Sequence, residues 1–250
     1  DGLVDLFDVN FAAEPKGVWR NTGHHTFEDR SYPSNIASTN LQFLGFGLEL
    51  FDYDLDGFRD LIAGNGHVLD DPSSLGQGVS YAQSQQLFRN QGDGRFQEDL
   101  RSLGDLVHPR VTRGLAVADY DGDGDLDVAM VAQNGPLQLF RNDGGNARHW
   151  IAFRLEGVRG SRDAVGAKVT LRAGPLRLAG WVSGGSSYCS SSDRRVTFGL
   201  GDAASVQELQ VRWPSGRVQR LPPLAVGRSY VLREGGAPAP EVLQAPGARP

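Results

Sequence analysis

Three stretches of this chain repeat one phrase, and that repetition limits the fold more than any other feature. GLELFDYDLDGFRDLIAGNG (47–66) aligns with GLAVADYDGDGDLDVAMVAQNG (114–135), and DGLVDLFDVN (1–10) aligns with the latter part of both. Each is followed by a second shared phrase: VWRNTGHHTFED (18–29), LFRNQGDGRFQED (87–99) and LFRNDGG (139–145). One unit therefore reads as strand, acidic loop, strand, connection, strand, Asn-Gly-type turn, strand, which is a small antiparallel sheet. Such a sheet cannot cover both of its faces and must stack on neighbours, as blades do in a β-propeller. Residues 1–148 show no sustained 3.6-residue period, which disfavours a helical solenoid.

Charge divides the chain near residue 148. Residues 1–148 hold 11 Lys+Arg against 23 Asp+Glu, whereas residues 149–250 hold 14 against 7. Beyond that point single alternating strands replace the repeat. Ile151, Phe153 and Leu155 share one side of WIAFRLEG, and Ala167, Val169 and Leu171 oppose Lys168, Thr170 and Arg172. Leu209, Val211 and Trp213 repeat the scheme, and the WPSGRV turn (213–218) predicts a hairpin between strands 206–213 and 217–221. The expected fold is all-β: propeller blades over 1–148, a sandwich-like β-domain over 149–235, and a disordered Pro/Ala-rich tail over 236–250.

The acidic loops carry the chemistry. Both complete copies obey D-x-D-x-D-G-x-x-D: Asp52, Asp54, Asp56, Gly57 and Asp60, then Asp119, Asp121, Asp123, Gly124 and Asp127. Alternating carboxylates can curl around one hard cation, the glycine permits a sharp turn, and the next residue offers its carbonyl. The expected ligands are therefore those aspartates with the carbonyls of Phe58 and Asp125, the Asp125 side chain pointing outward. Calcium suits the set, because it accepts six to eight oxygens in irregular geometry, whereas magnesium demands a stricter octahedron. An EF-hand fits poorly: position twelve is Ala63 or Met130 instead of glutamate, and the flanks read as strands. In the partial copy Asp1 and Asp5 are the candidate counterparts of Asp123 and Asp127, so the chain is expected to begin inside a loop. Further blades, from the same precursor or from a second chain, are the expected partners.

These motifs resemble a known family. The repeats are similar to the FG-GAP or VCBS blades of integrin-α-like propellers. The stretch from HWIAFRLEGVRGSRDAVGAKVTLRAG through GGSSYCSSSD to VQELQVRWPSGRVQRLPPL resembles the ASPIC/UnbV domain of cartilage-acidic-protein-like and bacterial secreted proteins. Arg162, Asp163, Gly166 and Ala167 carry one of its phrases and Trp213 to Gln219 another, whereas Cys189 stands where an aliphatic residue is expected. The resemblance implies a calcium-stabilised propeller joined to a β-sandwich, in exported proteins of adhesive or matrix-associated character. It also implies a second reading, an enzyme of secondary metabolism acting on a bulky apolar or polycyclic substrate, because some relatives accompany enediyne biosynthesis.

The remaining candidates are weaker. His67 and Tyr81 lie in the long insertion at 65–90, where packing over the blade outweighs chemistry. Ser186, Ser187, Ser190, Ser191 and Ser192 surround Cys189 without a nucleophile elbow or a partnered histidine, so a polar strand edge is expected. Arg20, Arg89 and Arg141 recur before an asparagine and are expected to pair with a carboxylate or cap a turn. One cysteine excludes an internal disulfide framework and a four-thiolate zinc site. No apolar run is long enough for a membrane helix, and the basic half has no dense cationic run to suggest nucleic acid. The favoured expectation is a noncatalytic, calcium-binding interaction or adhesion module, secreted, periplasmic or on the cell surface, with a protein or glycan ligand.

Overall fold

The computed structural model describes residues 2–39, 41–72 and 78–242. Each repeat folds as one antiparallel sheet. The first holds β1 (Leu6–Asp8), β2 (Gly17–Gly23) and β3 (Thr26–Asp29). The second holds β4 (Gly45–Phe51), β5 (Asp60–Asn65), β6 (Gln86–Asn90) and β7 (Phe96–Glu98). The third holds β8 (Thr112–Ala118), β9 (Asp127–Ala132) and β10 (Leu137–Phe140). The acidic loops join β4 to β5 and β8 to β9, and the described part of the partial copy leads into β1.

The sheets stack as blades because each has two apolar faces. Val18 and Phe7 of the first blade meet Leu61, Phe88 and Phe96 of the second. On the second blade's other side, Phe51, Ile62 and Leu87 meet Leu115, Val117, Val128 and Met130 of the third. Among the described residues, no further sheet covers the outward faces of the two terminal blades. Leu6 pairs across to Trp19 on one of them, and both are exposed, as is Phe27. Val131, Leu137 and Leu139 are exposed on the other.

The second half is a sandwich of two four-stranded sheets. Its strands are β11 (His149–Glu156), β12 (Lys168–Ala173), β13 (Leu176–Trp181), β14 (Val196–Gly201), β15 (Glu208–Arg212), β16 (Val218–Leu221), β17 (Arg228–Arg233) and β18 (Ala239–Glu241). One sheet runs β14-β11-β17-β18 and the other β13-β12-β15-β16. Ile151, Phe153, Leu155, Val169, Leu171, Leu209, Val211 and Trp213 share the core between them, as their alternation requires. The hairpin at the WPSGRV turn pairs Arg212 with Val218 and Leu209 with Leu221.

Two features differ from the sequence reading. The tail assigned to 236–250 is ordered over Ala239–Glu241, which pairs with β17, and residues 243–250 lie outside the described residues. Glu241 explains the order: its carboxylate pairs with Arg154 at 2.6 Å and Arg195 at 3.1 Å and accepts the Ser229 hydroxyl at 2.7 Å. Strand β11 also buries both faces, since Trp150 and Ala152 pack with Leu55 of the first acidic loop while the opposite residues enter the sandwich core.

The serine-rich segment forms a second contact between the halves. The Ser187 hydroxyl accepts the amide of Leu48 on β4 at 2.9 Å, and those of Ser190 and Ser192 accept the amides of Leu115 and Val117 on β8, each at 3.0 Å. These strands are the edge strands of their blades. A sandwich loop thus satisfies blade amides that no strand pairs.

Candidate metal centre

The two complete loops fold alike, and their backbone explains why. Asp52 accepts the amides of Asp56 at 3.0 Å and Gly57 at 2.9 Å, while Asp119 accepts those of Gly122 at 2.8 Å and Gly124 at 3.2 Å. The last aspartate closes each loop from the other side. Asp60 accepts Tyr53 N at 3.1 Å and Asn90 N at 2.8 Å; Asp127 accepts Tyr120 N and Asn142 N, both at 2.8 Å. Asp5 accepts Asn21 N at 2.7 Å in the partial copy. The asparagine of the shared "RN" phrase is therefore the partner of the loop's final carboxylate in all three blades.

One oxygen from each of Asp52, Asp54 and Asp60 lies within 4.8 Å of the others, and Asp119, Asp121 and Asp127 repeat the arrangement. Calcium holds its ligands at about 2.3–2.6 Å, so oxygens on opposite sides of one ion stand about 4.6–5.2 Å apart, which these clusters match. Asp54 Oδ1 is buried without a hydrogen-bond partner, an acceptor suited to a cation. The residues present fit the group.

Burial, with crowding among the aspartates behind it, raises the proton affinity of these acids. Burial pushes Asp52 up to about 7, Asp60 to about 8 and Asp119 to about 6, with neighbouring aspartates adding to the shift. Asp127 is raised for the same reason. A dication reverses that preference, since it stabilises the ionised forms together.

Asp56 and Asp123, also expected as ligands, hold the loop backbone. Asp56 accepts Phe58 N through Oδ1 at 2.9 Å and turns Oδ2 toward Arg89 at 3.4 Å. Asp123 accepts Asp125 N at 3.2 Å and Asn146 Nδ2 at 2.7 Å. Asp125 does not point outward: it is fully buried, and its Oδ2 accepts Asn146 N at 3.1 Å, because the turn at Gly145–Ala147 folds over the loop. Asp1 lies outside the described residues.

Two of the recurring arginines, Arg89 and Arg141, pair with carboxylates at the loops. Arg89 meets Asp54 at 2.8 Å, and Arg141 meets Asp143 at 2.7 Å and Asp121 at 3.9 Å. Arg148 and Asn146, which carried no signal in the repeat, are also part of the site. Arg148 Nη1 donates to the carbonyl of Asp54 at 3.0 Å and stands 3.2 Å from its carboxylate. Their position after the last repeat phrase is the only clue sequence offers.

Leu55 shows how the first loop is specialised. It holds φ +54° where the second loop has Gly122 at φ +80°, a conformation that costs a branched side chain about 1 kcal/mol or more. Its side chain is fully buried against Trp150 and Ala152, and its carbonyl accepts Gly201 N at 2.9 Å. Packing against the sandwich holds the strained backbone in place.

Of the other candidates, His67 is packed inside the fold. His67 is fully buried, with its ring 5.3 Å from that of Phe11, its Nδ1 accepting Leu69 N at 3.1 Å and its own amide donating to the Tyr81 carbonyl at 2.8 Å. Cys189 is exposed and free. Among the described residues no helix is long and apolar enough to cross a membrane.

Comparison with known proteins follows the same division. Residues 157–239 match the ASPIC and UnbV family, and residues 75–130 match the FG-GAP-like repeat. Cartilage acidic protein 1 of Mus musculus is 28% identical across 82% of this chain and 38% of its own length. The Xenopus tropicalis protein of that name is 37% identical across 49% of this chain and 19% of its length, and the Homo sapiens protein 36% across 52% and 20%. The chain thus spans well under half the length of the curated relatives it matches. It carries FG-GAP-like propeller blades followed by an ASPIC/UnbV domain, and its sequence is similar to cartilage acidic protein 1.

Proposed function

We propose that the protein is a calcium-dependent, noncatalytic interaction module that works outside the cytoplasm. The observation carrying this reading is the pair of equivalent three-carboxylate clusters, Asp52/Asp54/Asp60 and Asp119/Asp121/Asp127. In this reading calcium binds both clusters, offsets the repulsion among their acids and holds the loops in shape. Millimolar extracellular calcium is enough to fill even weak sites of this kind. The apolar outward faces of the terminal blades, with Trp19 and Leu6 on one and Leu137 and Leu139 on the other, receive further blades from the same precursor or from a second chain. Likeness to proteins named cartilage acidic protein supports the extracellular setting.

Titration calorimetry and melting of the purified chain test this reading. Calcium should bind and raise the melting temperature in a concentration-dependent way, and chelator should lower it. No calcium uptake, with melting unchanged in chelator, removes the reading.

A further inference from the structure

The outer face of the sheet β13-β12-β15-β16 carries a concentration of positive charge that the calcium reading does not use. Strand register sets its residues side by side. Lys168 lies between Trp181 and Arg212, Thr170 between Ala179 and Gln210, and Arg172 between Arg177 and Glu208. Arg220 continues the middle row beyond Gln210, and Val218 continues the first beyond Arg212. The opposite face of the same strands forms the sandwich core. Glu208 is the one carboxylate among these strand positions, and Arg172 already pairs with it at 2.8 Å. The face is therefore strongly basic in a chain whose net charge is -5.

The face is also concave. A trough of about 760 Å³ runs across it, lined by Lys168, Thr170, Arg172, Arg177, Gln210 and Arg220. Lys168 is held at one rim, donating to the Gly2 carbonyl at 2.7 Å and lying 4.8 Å from the Trp181 ring centre. Arg177 and Arg220 are exposed, with no carboxylate within ion-pair distance among the described residues. They stand three strand spacings and one side-chain row apart, about 16 Å at about 4.8 Å per strand and about 3.4 Å per residue. Between them are the Thr170 hydroxyl and the Gln210 amide in one row and, in the row beside it, the Arg172–Glu208 ion pair, whose charges offset each other.

We propose that this trough binds an acidic glycan, a sugar chain bearing sulfate or carboxylate groups. Two arginine forks at the ends would take the anionic groups bidentately, and the hydroxyl and amide between them would take sugar hydroxyls. Nucleic acid is disfavoured because the trough lacks free aromatic faces for base stacking; Trp181 is already covered by Lys168.

The test is binding of the full chain to a heparin-derived octasaccharide, an oligogalacturonate, a neutral maltooligosaccharide and single-stranded DNA. Binding of either acidic sugar, weakened by salt and absent for the neutral one, is the expected result; which of the two binds identifies sulfate or carboxylate as the recognised group. The double variant Arg177→Ser/Arg220→Ser should bind at least about tenfold more weakly. Arg228→Ser/Arg233→Ser removes the same charge from exposed sites on β17 in the other sheet and should leave binding within about twofold. Equal loss in both double variants, no loss in the first, or DNA binding as tight as the sugar overturns the proposal. Melting of both variants verifies that each is folded.

Discussion

Arg148 reaches back across the junction to Asp54, its Nη1 3.0 Å from the Asp54 carbonyl and 3.2 Å from the carboxylate. The residue just before the sandwich is thereby tied to the acidic loop of the second blade, while Asn146, two positions earlier, is tied to the loop of the third. Both complete acidic loops are thus coupled to the segment that links the two halves.

Replacing Arg148 with glutamine should loosen that segment. The pair is partly exposed, so the cost is small, about 0.5–1 kcal/mol. Hydrogen exchange should nevertheless quicken at 52–57 and 144–150 while the sandwich core keeps its protection. Unchanged exchange in those segments would show that the link carries no weight.

The pH dependence of stability should have an unusual sign. Asp52, Asp60 and Asp119 are raised to about 7, 8 and 6, above the ordinary unfolded value of about 3.9. Without calcium the folded state therefore holds more protons than the unfolded state between those limits. Their contribution is complete below about pH 4 and is lost as pH rises to about 8. In chelator, melting temperature should drop across that interval relative to a calcium-saturated sample, and calcium uptake near pH 6 should release protons. A chelated sample whose stability rises steadily through the interval would contradict the assignment.

Asp60→Asn separates folding from ion binding. The carboxylate accepts two backbone amides, and an amide side chain can turn only one acceptor toward them. A loss of about 1–3 kcal/mol in denaturant unfolding is expected even in chelator, together with loss of calcium at the first loop only.

Gly124 should tolerate no side chain. A Cβ there would stand 1.9 Å from the Trp150 indole, at φ +104°. Gly160 has a matching φ of +103° with open space around it, so Gly160→Ala should cost only the backbone strain, about 1–2 kcal/mol. The difference in unfolding free energy between Gly124→Ala and Gly160→Ala reads the contact between loop and sandwich. Equal costs would mean that Trp150 moves aside freely.

Ser190→Ala should leave the Leu115 amide without its acceptor and cost about 1–3 kcal/mol. Ser191→Ala, at an exposed neighbour, should be near neutral by the same chemical denaturation.

Local chemistry was legible in the sequence, and long-range contacts were not. The repeated Asp, Gly and Asn positions revealed the blades and their loops, because each aspartate acts on amides a few residues away or on the asparagine of the next shared phrase. Alternation in β12 and β15 gave the sandwich core for the same local reason. Nothing in the neighbourhood of Trp150 announces that Leu55, almost a hundred residues earlier, buries its outer face. The parallel pairing of β11 with β17 joins Ile151 to Arg228 and has no turn to mark it. Asp125 was misread because the turn that buries it belongs to the junction and lies outside the repeat.

The serine contacts on β4 and β8 bear on how the molecule can be divided. The change in charge at residue 148 suggests a place to cut, but severing the chain there would strip three strand amides of their acceptors and bare the indole of Trp150 on the separated sandwich. Blades and sandwich should therefore melt in one cooperative transition, and neither piece is a sound unit for recombinant expression by itself.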